Sequence, residues 1–503
     1  MLRRLEEIPA QWAERRPDGV VLREGARTWT WDELERAREH LAGTLAALGV
    51  RGGDRVMLVG ENCASMVALF FALATLDAWI VNVNARMSAR EIELVRAHCT
   101  PRRVIYLTGA SPVALTHAQA RDSADLDLAG WGEARVSPLD EQALPEALDA
   151  DPALRVAALL YTTGTTGDPK GVMLTHAGLL HVARQSTALR GLVPEDRVYG
   201  LLPFTHVYGM ASVVFGSLCA GTSIDLQPRF AGDAMAAALE QRRITVCQGV
   251  PAMYAKLLDF LRGRPAPFSA PALRFLYAGG APLSPELQQR VEALFGLPLN
   301  NGYGLTEASP TVTQTRPSQP RSDGSVGTPI PGVEIRMVDP HGHEVAAGQP
   351  GELWVRGPNV MKGYYRNAAA TAEVMRPGGW LATGDIARQD PDSAVFIEGR
   401  LKELIIRSGF NVYPVEVEAI LNAHPEVAQS AVVGRAADGN EEVVAFVELK
   451  PGAQATPAAL IAFAAAALAP YKRPSEVILV PALPTAANGK VLKAKLRTFA
   501  PAR

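Results

Sequence analysis

Tyr161-Thr-Thr-Gly-Thr-Thr-Gly-Asp-Pro-Lys-Gly-Val172 packs threonines, glycines and a lysine into one short loop, entered by the apolar run Val156 to Leu160. Hydroxyls and unhindered backbone N–H groups, with the point charge of Lys170 beside them, suit the phosphates of a nucleotide. It is not a Walker A loop, because Gly171 rather than Ser or Thr follows Lys170 and the glycine spacing differs.

Outward from this loop, strand and helix patterns alternate. Thr30-Trp-Asp-Glu33 reads as a capping box opening a helix through about Leu48. A strand (Arg55 to Val59), a helix after Asn62, a strand over 78–83 and a helix from Ser88 follow. The apolar stretch Met66 to Val83 is broken by Thr75 and Asp77, so it reads as a buried helix followed by a strand rather than a membrane span. Residues 109–153 have weak periodicity and read as a surface excursion. Beyond the loop, strands are expected at Val198 to Leu202, Ser223 to Leu226, Val246 to Val250 and Arg274 to Ala278.

After Gly324, short β-rich runs (Val333 to Val338, Gly351 to Val355, Ala394 to Ile397) between Gly/Pro turns suggest a β-subdomain. Past Gly399-Arg-Leu-Lys402, short strands and the helices Pro414 to His424 and Pro457 to Leu468 suggest a small α+β domain. The expected fold is therefore α/β. A large N-terminal domain of mostly parallel sheets layered with helices, with a β-subdomain, spans 1–399, and a small mobile C-terminal α+β domain spans 400–503.

A chain of 503 residues exceeds one core. Hydrophobic residues at 48% and charged residues at 20% are ordinary for a soluble globular protein, and a net charge of −2 gives no attraction for nucleic acid or an anionic membrane. No signal peptide or transmembrane segment is read, and a cytoplasmic monomer or homodimer is expected. Cys63, Cys99, Cys219 and Cys247 are far apart and read as reduced, mostly buried thiols. His341-Gly-His343 reads as a solvated turn, since a zinc site needs further ligands nearby.

Further segments fall in a fixed order: Leu202-Pro-Phe-Thr-His206-Val-Tyr-Gly, Tyr277-Ala-Gly-Gly-Ala-Pro282, Asn301-Gly-Tyr303-Gly-Leu-Thr306-Glu307, Thr383-Gly-Asp385, Gly399-Arg400-Leu-Lys402-Glu-Leu-Ile, Ser408-Gly-Phe-Asn-Val-Tyr-Pro414 and Asn488-Gly-Lys490. From about Thr30 to Leu496 the series resembles the acyl-adenylating superfamily, which holds acyl-CoA synthetases, the adenylation domains of peptide synthetases and firefly luciferase. The resemblance is strongest to an acyl- or aryl-CoA synthetase. It implies that ATP turns a carboxylic acid into an acyl-adenylate with loss of pyrophosphate, and that coenzyme A then takes the acyl group as a thioester. Rival readings are an adenylating enzyme that loads a carrier protein, and a non-catalytic nucleotide-binding regulator. The chain ends at Arg503 with no carrier domain behind it, so free coenzyme A is the expected acceptor.

The resemblance also assigns roles. Thr162, Thr163, Gly164, Thr165, Thr166, Gly167 and Lys170 would hold the β- and γ-phosphates. Thr306 would bond the α-phosphate, and Glu307 would hold Mg²⁺, a hard cation suited to carboxylate and phosphate oxygens. Asp385 would accept the ribose hydroxyls with Arg400 assisting. Gly279, Gly280, Ala281 and Pro282 would leave room for adenine, with Asn301, Gly302, Tyr303 and Gly304 along its other side. Lys490, at the tip of an Asn-Gly turn, would reach the carboxylate and α-phosphate. Lys402 is the expected hinge, and Ser408, Gly409, Phe410 and Asn411 the expected lining of the pantetheine tunnel. The segment Gly434 to Val443 is shorter than the usual loop there.

The acid pocket is expected to be formed by His206, Val207, Gly209, Met210, Tyr254, Ala278, Gly279, Gly280, Asn301, Gly302 and Pro310, with His206 against the substrate. Their small side chains leave room for an aromatic ring or an aliphatic chain. Malonate-activating relatives carry an arginine just after the Met-Tyr pair, where Met253-Tyr254-Ala-Lys256 has lysine, so a dicarboxylate is not favoured. Aromatic and medium- or long-chain acids stay open.

Overall fold

The structure is a computed structural model that describes residues 2–163, 169–264, 267–407, 410–437, 440–485 and 491–499. Two large sheets dominate. A nine-stranded sheet runs, edge to edge, through Thr328–Pro329, Thr311–Gln314, Leu299–Gly304, Phe275–Ala278, Val246–Gly249, Arg197–Gly200, Ser223–Leu226, Val20–Glu24 and Arg27–Thr30, and its central strands are parallel. An eight-stranded sheet runs through Gly363–Tyr364, Pro169–Thr175, Val156–Thr163, Trp79–Asn84, Arg55–Gly60, Arg103–Tyr106, Glu133–Val136 and Ala124–Asp127.

What joins the sheets is the helix Ala64–Thr75. Residues Ala64 to Ala74 are all buried, in one cluster with Val198, Leu22 and Ile224 of one sheet and Val56, Leu58 and Ile80 of the other. A helix apolar all round has no face to give to water, so it belongs between layers. The expected break into buried helix and strand at Thr75 and Asp77 is therefore correct.

Local chemistry sets the other boundaries. Thr30 and Glu33 form the expected capping box at the head of Trp31–Ala47, and Ser88 with Glu91 forms another before Ala89–Cys99. Asp196 and Arg274 tie the loops ahead of two central strands together, and Asn62 accepts from Phe204 N–H while its amide donates to carbonyls of Gly200, Leu202 and Gln227.

One expectation needs correction. Residues 109–153 are not a bare excursion: they hold the helix Pro112–Gln119 and the strands Ala124–Asp127 and Glu133–Val136, which complete one edge of the eight-stranded sheet. Four-residue strands interrupted by Asp and Gly are too short for periodicity to reveal. The strands flanking the phosphate loop form a hairpin, in which Pro169–Thr175 returns antiparallel to Val156–Thr163.

The β-subdomain is a five-stranded antiparallel sheet built on Glu334–Val338, Gly351–Arg356 and Trp380–Gln389, with Met375–Arg376 and Val395–Arg400 against the last. Residues after Leu404 form separate two- and three-stranded sheets packed by Pro414–Asn422 and Pro457–Ala467 around a core of their own. The segment Gly434 to Val443 lies in a hairpin of Val427–Ala437 with Asn440–Leu449. Cys63, Cys99 and Cys247 are buried and all four cysteines are free. His343 lies on the surface, and among the described residues no group of three or more His, Cys, Asp or Glu side chains is placed to hold a metal. Among the described residues no helix is long and apolar enough to cross a membrane.

Candidate active site

Strand pairing builds the expected phosphate end. Thr162 lies opposite Lys170 and Thr163 opposite Pro169, so a threonine hydroxyl and the lysine rise from one face of the hairpin. The short strand Gly363–Tyr364 then adds to the other edge of Pro169–Thr175, with Tyr364 opposite Val172. This brings the Tyr364 ring under Lys170, whose Nζ lies 5.0 Å from the ring centroid. The Tyr364 hydroxyl donates to Glu307 Oε1 at 2.8 Å. Burial, with Glu307 adding to it, pushes the Tyr364 phenol far above its usual range, so it remains a donor.

Glu307 itself is held from behind. It sits in the single turn Thr306–Ala308, and its carbonyl accepts from Met361 N–H at 2.9 Å. The turn is followed by a cis peptide bond between Ser309 and Pro310, and Pro310 O accepts from Leu305 N–H. Thr306 and Glu307 are both half-buried, with side chains reachable by solvent. A site carboxylate steadied on one oxygen by a phenol suits Mg²⁺, which takes few protein ligands and fills its shell from phosphates and water. Sequence reading missed Tyr364; a tyrosine pair before Asn367 carries no spacing signal that points back to residue 307.

The expected ribose end is an antiparallel pair. Asp385 on Trp380–Gln389 lies opposite Arg400, the last residue of Val395–Arg400, with Arg400 Nε 3.0 Å from Asp385 Oδ1. The Tyr303 hydroxyl donates to Asp385 Oδ2, and Thr383 Oγ1 accepts from Asp385 N–H at 3.1 Å. Asp385 chiefly, against the opposing pull of burial, raises the Arg400 pKa above its usual value. Tyr303 therefore fixes the carboxylate. Ala281 and Pro282 are exposed beside Gly280, whose φ of +78° suits glycine. The Asn301 side chain is turned to its own backbone, with Oδ1 accepting from Gly302 N–H at 2.8 Å.

The acid-pocket expectations divide. His206 is half-buried and its Nδ1 accepts from Tyr208 N–H at 3.3 Å, at the head of a π-helical stretch Tyr208–Phe215. Val207 and Met210 lie in the main core rather than at an open surface. Gly209 is required by packing, since a Cβ there would sit 2.1 Å from Pro203 O. Tyr254 is corrected most clearly. It is wholly buried under the sheet, its hydroxyl 2.9 Å from Tyr277 O, and Ala278 shares that core.

The side chain packed against both Gly279 and Gly302 is Tyr277. A Cβ on Gly302 would meet its hydroxyl at 1.9 Å, and one on Gly279 would meet its ring at 3.2 Å. Tyr208 packs edge-on against it, with centroids 6.1 Å apart. Gly279 and Gly302 thus clear space for a tyrosine, not only for a ligand.

In the C-terminal part, Lys402 lies in the turn Leu401–Glu403, and its carbonyl accepts from Arg497 Nη2 at 3.1 Å. Phe410 and Asn411 are exposed on the strand Phe410–Val412, with the Phe410 ring stacked on Tyr471 at 4.6 Å. Gly164, Thr165, Thr166, Gly167, Ser408, Gly409 and Lys490 lie outside the described residues. The flanks of the Lys490 turn do pair, as Thr485 opposite Val491 and Leu492 N–H to Pro484 O at 2.7 Å.

Comparison with known proteins agrees with this geometry. The family described as AMP-binding enzyme matches residues 9–365, and the AMP-binding enzyme C-terminal domain matches residues 416–490. A feruloyl-CoA synthase of Amycolatopsis sp is 35% identical over 496 residues, covering 97% of each chain. An indoleacetate–CoA ligase of Aromatoleum aromaticum is 34% identical over 501 residues, again covering 97% of each. Among solved structures, the anthranilate CoA ligase AuaEII in complex with anthranoyl-AMP superposes with a TM-score of 0.86 at 25% identity, covering 99% of this chain and 97% of that one. The chain belongs to the AMP-binding enzyme family, within the acyl-adenylating superfamily, and is an AMP-forming acid–CoA ligase.

Proposed function

We propose that the ligase acts on an aromatic carboxylic acid, with the residue roles assigned below. The observation that carries this reading is the aromatic cluster against Gly279, where Tyr277 and Tyr208 meet edge-on and surround the expected acid pocket with rings. The relatives named for ferulate, indoleacetate and anthranilate support the same class.

A carboxylate resists acyl transfer because its leaving group would be oxide, and joining it to AMP supplies a better one. Binding energy must therefore hold the acid in line with the α-phosphorus and cover the phosphate charge. Lys170 and Thr162 would cover the outer phosphates and Thr306 the α-phosphate. Mg²⁺ would be held by Glu307 and would neutralise phosphate charge. Asp385, fixed by Tyr303 and Arg400, would hold the ribose and so the distance between phosphorus and acid. His206 would border the substrate. Lys490 would neutralise the charge that develops between carboxylate and α-phosphate. The small domain would turn at Lys402 and bring Ser408 to Asn411 towards coenzyme A.

The test is a panel of aromatic, fatty and dicarboxylic acids in which pyrophosphate release and thioester formation are followed separately. Aromatic acids are expected to give the highest kcat/KM, with thioester formed on free coenzyme A. Preference for fatty acids overturns the acid class. Transfer to a phosphopantetheinylated carrier alone overturns the acceptor.

Tyr364→Phe tests the phosphate end. Losing one hydrogen bond to a charged group costs about 1.5–3 kcal/mol, so KM for MgATP should rise roughly tenfold or more, with KM for the acid unchanged. Equal KM values in mutant and wild type would remove Tyr364 from the site.

A further inference from the structure

Arg190 is the last residue of the helix His176–Arg190, where an arginine before Gly191 reads as a helix-end cation. Its side chain does not go to solvent. It is 2% exposed, and its guanidinium carbon lies 4.4 Å from the centroid of the Tyr277 ring. Nη1 donates to Gln248 Oε1 at 2.7 Å and the guanidinium lies within reach of the Tyr277 hydroxyl, while Nε and Nη2 are buried and make no well-aligned hydrogen bond among the described residues. Gln248 is fully buried too, and its Nε2 also lacks a partner.

Arg55 shows how this chain treats a buried guanidinium without a function of this kind. It is equally buried, yet it donates to the carbonyls of Cys99, Gly53, Leu144 and Thr100 and to Thr100 Oγ1. A buried charge with unmet donors is costly, because it has given up water and received nothing in exchange. The polarity of the unmet groups is uniform. Arginine carries only donors, so the Gln248 oxygen must face it and the amide NH₂ must point elsewhere. Arg190 Nε and Nη2 and Gln248 Nε2 thus have at most the Tyr277 hydroxyl as acceptor, fewer acceptors than donors. Tyr277 is the side chain against which Gly279 and Gly302 pack, so these donors lie behind the expected acid pocket.

We infer that Arg190, oriented by Gln248, is a specificity-determining residue that receives a hydrogen-bond-accepting group, a carboxylate or a hydroxyl oxygen, at the end of the acid remote from the reacting carboxylate. This deepens the acid–CoA ligase reading and rests on its acid pocket. Lys256, the position at which a charge for such a group would be sought in the sequence, is exposed on the helix Pro251–Arg262 and does not supply one.

The test compares benzoate, cinnamate and hexanoate with counterparts carrying a terminal hydroxyl or carboxylate, on wild type, Arg190→Met and Gln248→Leu. Wild type should favour an acceptor-bearing acid by about a hundredfold in kcat/KM over its plain counterpart, since a site built to hydrogen-bond a group rejects the analogue lacking it. Arg190→Met should abolish that preference while sparing the plain acid, and the hydroxyl and carboxylate arms say which acceptor is taken. Unchanged ranking in Arg190→Met, or no preference in wild type, overturns the inference. If Arg190→Met does not fold, Gln248→Leu must narrow the preference at least tenfold, and an unchanged ranking there overturns it equally. Calorimetric titration of the same acids into wild type and variants, with AMP present, needs no turnover. If no acid is activated, the ligase reading fails alone: acceptor-dependent binding lost in the variants upholds Arg190, and its absence in wild type overturns it.

Discussion

Replacing Lys490 with alanine is expected to slow acyl-adenylate formation by roughly 10²–10³, the loss measured when one preorganised donor to a developing charge is removed. Thioester formation from supplied acyl-adenylate should be nearly unchanged, because the acyl-phosphate bond is already made. The base of the turn is anchored independently of its tip. Lys493 Nζ reaches Glu403 at 2.9 Å and Glu418 at 2.8 Å, and Thr485 pairs with Val491. The alanine variant should therefore keep its fold, and loss of rate can be read as loss of the charge. Rapid-quench measurement of each half-reaction checks this; equal damage to both would remove Lys490 from the adenylation step.

Those ion pairs also bear on Lys402. Glu403 follows it directly and Arg497 donates to its carbonyl, so the residues beyond the Lys490 turn are fastened to the stretch around the proposed hinge. A turn at Lys402 would carry Lys493 and its neighbours with it, which couples movement of the hinge to withdrawal of the lysine loop.

The fold was largely legible because its signals are long and periodic. Apolar runs such as Val156 to Leu160 mark parallel strands, and two capping boxes mark helix starts. The missed pieces were the edge strands near residues 124–136, too short to show a period, and the returning strand Pro169–Thr175, in which lysine and glycine hide the alternation. The candidate nucleotide site could be read as an ordered set of motifs, since each motif carries its own residue chemistry. The links between motifs were not. Tyr364 reaches Glu307 across 57 residues and Tyr303 reaches Asp385 across 82, and no local pattern encodes a contact of that span. Acid-pocket residues were the least legible. Tyr254 sits in a helix whose inner face is core, so a family position alone could not tell a wall facing the ligand from one facing the sheet.

Asp385→Ala is expected to raise KM for ATP by about a hundredfold. A carboxylate accepting two ribose hydroxyls makes charge-assisted bonds, and losing them costs about 3 kcal/mol. The fold should survive, because the Arg400 side chain is 48% exposed and can turn to water when its partner is gone. The Tyr303 hydroxyl loses its acceptor as well, so melting temperature should fall. That fall alone does not identify the role, because any buried hydrogen-bond acceptor would produce it. Deoxynucleotides separate the two meanings. Wild type should use 2′-deoxyATP and 3′-deoxyATP poorly relative to ATP, since each lacks one of the two hydroxyls that the carboxylate would accept. Asp385→Ala should treat all three nucleotides alike, because the group that distinguished them is missing. If the variant melts lower yet still discriminates against the deoxynucleotides as wild type does, the ribose is held elsewhere and Asp385 serves only to fasten Tyr303 and Arg400.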